Sequence, residues 1–207
     1  MTKCRDAIRT RDGIIASATK LFAINGYDGV SVDEIAKEAS INKAMIYYYF
    51  GNKAKLYEIT VKSVLDEMYD SIVEQNRSLS KPTEELKSFI ITYAFFAKEH
   101  SYIPALMMAE LSNGGKNLPE GIFAGLKYLF SLLSDILKRG AERGCFKKTK
   151  PMVIHFMIVG TINLFITTSS LRNKITDSTL DVCKDCEIEE IAEYLFANIE
   201  TFLKDER

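Results

Sequence analysis

The sequence predicts an all-helical chain, and three observations carry that prediction. Apolar residues recur at three- and four-residue spacing through most of the 207 residues. Prolines, which break helix interiors, number only four. No stretch sustains the apolar–polar alternation and hairpin turns of strands. Apolar residues make up 47% of the chain, enough to fill a real core. The length suits one large domain, or a small domain followed by a larger one.

The first helix is expected over residues 5–24, where Ile8, Ile15, Ala18 and Phe22 fall at helical spacing beside Ile14 and Leu21. Asn25-Gly26 ends it, with the glycine suited to the left-handed position after a helix. In "SVDE", Ser31 caps the second helix and Glu34 reaches back, forming a capping box. Val32, Ile35, Ala36 and Ala39 make its apolar face. "SIN" turns the chain, and Asn42 caps a third helix that Gly51 stops. Asn52 then caps a fourth helix over residues 53–75.

Five further helices are expected over residues 83–100, 103–111, 118–144, 152–171 and 187–204. "SNGGKNLP" and "RNKITDSTLDVCKDC" are the loops. The segments 88–97 and 152–171 are apolar around most of their circumference, which predicts enclosure by other helices. Residues 152–171 have the length of a membrane span, but His155, Thr161, Asn163, Thr167 and Thr168 interrupt them and no second span exists. No membrane association is expected. The last helix carries a stripe of Ile188, Ile191, Leu195, Ile199 and Phe202, suited to packing helix on helix.

Charge is uneven. Residues 1–57 hold nine Lys/Arg against six Asp/Glu, whereas residues 58–207 hold eighteen against twenty-two. A basic head on an acidic body suits a head that meets a polyanion. The stretch "MTKCRDAIRTRDG" has no apolar signal region, so a cytoplasmic location is expected. There Cys4, Cys145, Cys183 and Cys186 would be reduced thiols.

The stretch richest in chemistry is "NKAMIYYYFGNKAKL", residues 42–56. A helix turns about 100° per residue. With Ile46 inward, Tyr49 and Phe50 share its side, and Tyr47 and Tyr48 look outward near Lys43, Lys53 and Lys55. Phenol hydroxyls and ammonium groups both donate to phosphate oxygens. The N-terminus of the fourth helix adds unpaired amides. Two short helices joined by a tight turn make a helix-turn-helix, whose second helix enters the major groove. The competing reading is a surface helix with solvated tyrosines. The capping box, the turn and the apolar spacing favour DNA.

"SVDEIAKEASINKAMIYYYFGNKAKLY" resembles the DNA-binding signature of the tetracycline-repressor (TetR) family of bacterial regulators. Ser31, Ile35-Ala36, Ala39, Ile41, Asn42, Ile46-Tyr47, Phe50, Lys53 and Leu56 carry the match. Ser40 and Ala44 depart from it, since glycine is usual at both places. A left-handed backbone at Ser40 would be costly. The resemblance implies a three-helix DNA-binding head over residues 1–52 and a larger helical effector-binding and dimerisation body over residues 53–207. It implies phosphate contacts from Ser31, Tyr47, Tyr49 and Lys53. Asn42, Lys43, Ala44 and Tyr48 lie where members of the family touch bases or the adjoining backbone. A double-stranded operator and a homodimer through the last two long helices are the implied partners.

The resemblance also implies an effector cavity between the middle helices. Met68, Tyr93, Phe96, Met107, Met108, Phe123, Tyr128 and Phe165 are its candidate lining, an adaptable wall of thioethers and rings. Ordinary core packing is the competing reading of each. His100, Glu110, His155 and Asn163 are the few polar groups that might orient a ligand, which points to a small hydrophobic or aromatic molecule. Two histidines and no glycine-rich phosphate loop or nucleophile elbow leave little for an enzyme, and no cofactor is implied. The alternative is a metal- or redox-responsive regulator using Cys183 and Cys186, whose CxxC spacing alone is weak evidence.

Overall fold

The computed structural model describes residues 2–116, 118–175 and 186–204. These residues form ten helices and no strand. In chain order they are α1 (Thr2–Asn25), α2 (Val32–Glu38), α3 (Lys43–Phe50), α4 (Lys53–Asn76), α5 (Pro82–Glu99), α6 (Tyr102–Ser112), α7 (Glu120–Glu142), α8 (Pro151–Thr167), α9 (Ser169–Ile175) and α10 (Ile188–Leu203). The chain divides into two compact units, residues 1–66 with 105–125, and residues 67–104 with 126–207.

The first unit is built by capping and by one small core. Ser31 Oγ accepts from the Glu34 amide, and Glu34 Oε2 accepts from the Ser31 amide at 2.7 Å, so the capping box is complete. Asn42 Oδ1 accepts from the Ala44 amide at 2.8 Å, and Asn52 Oδ1 from the Lys55 amide at 2.8 Å. Helices α1 and α2 pack together, as do α2 and α3. Their core is Ile14, Ala18 and Phe22 of α1, Ile35 and Ala36 of α2, Ile46 and Phe50 of α3, and Leu56 and Tyr57 of α4. Burying each large apolar side chain contributes about 1.5–3 kcal/mol. The inward face of α1 differs from the expected one. Ile8 is 56% exposed and Ile15 half-buried, whereas Ile14, Ala18 and Phe22 form an i, i+4, i+8 row. Both rows have helical spacing, and only packing against α2–α4 chooses between them.

In the second unit α5 packs against α10 and α8, and α8 packs against α10. Leu86, Phe89, Ile90 and Ala94 of α5 meet a core that includes Leu133 and Ile136 of α7, Ile154, Ile158 and Ile162 of α8, and Ala192, Leu195 and Ile199 of α10. One polar contact lies within it and another at its edge. Arg139 grips buried Glu85 through both guanidinium ends, and the Tyr93 hydroxyl donates to Asn163 Oδ1 at 2.8 Å.

Two expectations change here. The helix expected over 152–171 is two helices, broken at Thr168. Thr167 and Thr168 each turn a hydroxyl back onto a carbonyl four residues earlier, at 2.8 and 2.6 Å from Asn163 and Leu164. Such bonds bend and weaken helices. Nor is α8 enclosed: Met152, Val153, Phe156 and Leu164 are exposed opposite its buried Ile154–Ile158–Ile162 row. No helix among the described residues is long and apolar enough to cross a membrane.

Candidate nucleic-acid interface

Helix α3 is the centre of the site. Its Ile46 and Phe50 are buried, Tyr49 is half-buried, and Tyr47 and Tyr48 are 49% and 79% exposed. The sequence-predicted division of the three tyrosines is therefore the one the fold adopts. Tyr48 and Tyr49 meet edge to face with centroids 5.1 Å apart, which limits how freely the outer ring turns. Ala44 is exposed on the same short helix, with nothing but a methyl to offer a base edge. The turn before α3 takes Ser40 into the left-handed region at φ 54°, a conformation uncommon outside glycine, asparagine and aspartate.

Several of the predicted contacts have hydrogen-bond partners within the head. The Ser31 hydroxyl donates its single proton to Glu34 Oε2 at 2.7 Å. In this arrangement it caps α2 and has no proton left for a phosphate. Asn42 Oδ1 is engaged as a cap, so only its amide N–H groups remain to donate. The Lys43 ammonium lies 3.0 Å from Asp33 Oδ1, and this hydrogen bond raises its pKa above the ordinary lysine value. Lys20 and Lys55 are paired with Glu38 and Glu58 in the same way.

Lys53 is held differently. Its Nζ sits 4.2 Å from the centroid of the Tyr27 ring. Tyr27 stands on the turn between α1 and α2, which two glycines permit. Gly26 has φ +69°, and a Cβ on Gly29 would lie 2.3 Å from the Asn25 carbonyl oxygen. The ring then packs on Tyr57 at 4.9 Å and Phe22 at 6.1 Å. Beneath it, the Tyr57 hydroxyl donates to buried Glu110 on α6 at 3.3 Å. The phenol's pKa is raised, first by burial and then by the nearby carboxylate, so Tyr57 remains a donor. Tyr27 was not among the sequence candidates. Its signal, a tyrosine between two turn glycines, reads locally as turn chemistry.

The candidate ligand-lining residues fall in both units. Met107, Met108 and Phe123 belong to the first, and Met68, Tyr93, Phe96, Tyr128 and Phe165 to the second. Met68, Tyr93, Phe96 and Met107 are buried, Phe165 is half-buried, and Met108, Phe123 and Tyr128 are exposed. Phe96 borders an open groove of about 380 Å³ with Ser71, Gln75, Ile91 and Phe95. The polar candidates are engaged: Glu110 with Tyr57, Asn163 with Tyr93, and His100 stacked on Phe96 at 4.2 Å. His155 packs edge-on to Phe130, and burial lowers its pKa. Cys145 is a free, exposed thiol, whereas Cys186 is disulfide-bonded, which corrects the expectation of a reduced thiol there. The side chains of Cys4 and Cys183 lie outside the described residues.

Two family profiles match the chain. Residues 14–59 match bacterial regulatory proteins of the tetR family, and residues 61–184 match the C-terminal region of YsiA-like proteins. The chain is 31% identical over 140 residues to IcaR of Staphylococcus aureus, the HTH-type negative transcriptional regulator of the biofilm operon icaADBC. That match covers 68% of this chain and 74% of IcaR. Among solved structures, a linker-substituted mutant of HlyIIR is 27% identical, with TM-score 0.71 over 97% of this chain and 100% of its own. FadR from Bacillus subtilis in complex with stearoyl-CoA shares the fold at 23% identity, with TM-score 0.73 over 91% and 97%.

Proposed function

The chain belongs to the TetR family of bacterial regulatory proteins, and on that premise we propose that it is a cytoplasmic repressor that binds a palindromic operator and is released by a small hydrophobic or aromatic ligand. Regulators of this family are DNA-binding transcription factors and not enzymes. The observation that carries the reading is the asymmetry of α3: a buried Ile46–Phe50 edge behind an outward Tyr47–Tyr48 face. In this reading residues 1–52 carry DNA binding, and residues 53–207 carry effector binding and dimerisation. Tyr47, Tyr49 and Lys53 donate to phosphates. Lys43 and Tyr48 meet bases, as do the Asn42 amide and the Ala44 methyl.

The body supports a two-fold assembly. Phe156 is 66% and Tyr194 73% exposed, and Val153, Leu164 and Phe202 on the same two packed helices, α8 and α10, are exposed as well. Large apolar side chains exposed on packed helices suit an interface. A dimer through these helices matches a two-fold operator. The stearoyl-CoA held by FadR supports a hydrophobic effector here, as do Met68, Tyr93 and Phe96 of the second unit. Ligand and DNA then weaken each other by the same factor.

Titration of a mixed-sequence duplex tests the DNA-binding half. Affinity falls log-linearly with salt, and Lys53→Ala lowers the slope by about one. A salt-independent affinity, or an unchanged slope in the variant, contradicts it.

A further inference from the structure

We propose that Tyr27 is a positioning residue for Lys53, holding the ammonium where a DNA phosphate meets it; the inference rests on the DNA-binding reading above. Lysine is a flexible chain ending in a point charge, and fixing it on a phosphate costs conformational freedom. Four lysines of the first unit are tethered by carboxylates, at 3.0 Å for Lys43, 2.6 Å for Lys20, 2.7 Å for Lys55 and 2.5 Å for Lys62. A carboxylate restrains the ammonium but offsets its charge, and a phosphate must displace it. The Tyr27 face, 4.2 Å from Lys53 Nζ, restrains it while taking no proton and adding no net negative charge. The ammonium keeps donors free on the side away from the ring.

The ring itself is anchored. It rests on Tyr57 and Phe22, both essentially unexposed. Tyr57 is four residues after Lys53, so one face of α4 presents both to Tyr27. Gly26 and Gly29 fix the turn that carries the ring. The Lys53 charge helps to lower the pKa of Glu34, whose carboxylate is bound to the Ser31 hydroxyl and amide.

A double-mutant cycle on the full-length protein tests the assignment, with a mixed-sequence duplex at low salt as the probe. Tyr27→Leu should weaken binding about two- to tenfold, the range for a cation–ring contact, and Tyr27→Phe should retain wild-type affinity. In a Lys53→Ala background, Tyr27→Leu should cause no further loss. An equal loss in both backgrounds would mean that Tyr27 only packs the turn, and would overturn the proposal. A wild-type protein without salt-dependent DNA binding would overturn the functional reading as well. A second readout needs no variant: ring current should move the Lys53 ε-methylene proton resonances upfield in the free protein. Unshifted resonances would overturn the proposal even if Tyr27→Leu fails to fold.

Discussion

The Tyr57 hydroxyl donates to Glu110 Oε1 across 3.3 Å, tying α4 to α6 inside the first compact unit. Both side chains are buried, at 0% and 4% exposure, and lie 53 residues apart in the chain. Burial raises the phenol's pKa, so the bond persists throughout the neutral range. Tyr57→Phe keeps the ring and removes the donor. Unfolding free energy should fall by about 1 kcal/mol, the typical net worth of such a bond. Denaturant titration checks this, and an unchanged midpoint contradicts it.

In the proposed interface, Asp33 would set how much charge Lys43 offers to DNA. The ammonium lies 3.0 Å from one carboxylate oxygen and 3.3 Å from the other. Asp33→Asn should strengthen binding and steepen the logarithmic salt dependence by up to about 0.9, the slope per neutralised phosphate. A slope that does not change would show that Lys43 does not compete for phosphate.

The Ser31 hydroxyl is engaged in the α2 cap. Its hydroxyl both accepts from the Glu34 amide and donates to the Glu34 carboxylate. Ser31→Ala should cost about 0.5–2 kcal/mol of stability, as lost N-caps do. The affinity of the folded protein for DNA should stay as it was. A weakened affinity with intact folding would restore the phosphate role expected from sequence.

The same cap is sensitive to acid. Bonds from the Ser31 hydroxyl and then its amide hold the Glu34 carboxyl below its ordinary value of 4.5, with the Lys53 charge a smaller cause. A depressed carboxyl stabilises the fold fully above its unfolded value and loses that contribution as pH falls through the folded one. The stability gap between wild type and Glu34→Gln should therefore narrow below pH 4.5. Unfolding midpoints measured down that range check it, and a constant gap contradicts it.

Local chemistry was legible in the sequence, and long-range choice was not. Ser31, Asn42 and Asn52 announce their caps within three residues, and each makes its cap bond. The outward turn of Tyr47 and Tyr48 follows from the position of Ile46. By contrast, Ile8 and Ile14 are equally apolar, and the packing of α2–α4 selects Ile14. Asp33 and Lys43 are ten residues apart, and Glu85 and Arg139 fifty-four, so no helical periodicity pairs them. The break at Thr168 depends on two threonine hydroxyls choosing carbonyls over solvent. Tyr27 became visible only once the turn brought its ring to Lys53.

The exposed row on α8 should matter for assembly and for specificity together. Phe156→Glu places a charge on the most exposed ring of that helix. Sedimentation should show a shift from dimer to monomer, with operator affinity lost and head stability kept. A variant that stays dimeric contradicts the assignment of this face.

Selection of the purified protein against a random duplex library at near-physiological salt tests the central claim most directly. An enriched inverted repeat, with half-sites about one helical turn apart, is the predicted result for a two-fold helix-turn-helix protein. Retention without any enriched motif, lost steeply as salt rises, would contradict it and leave only attraction to the phosphate backbone.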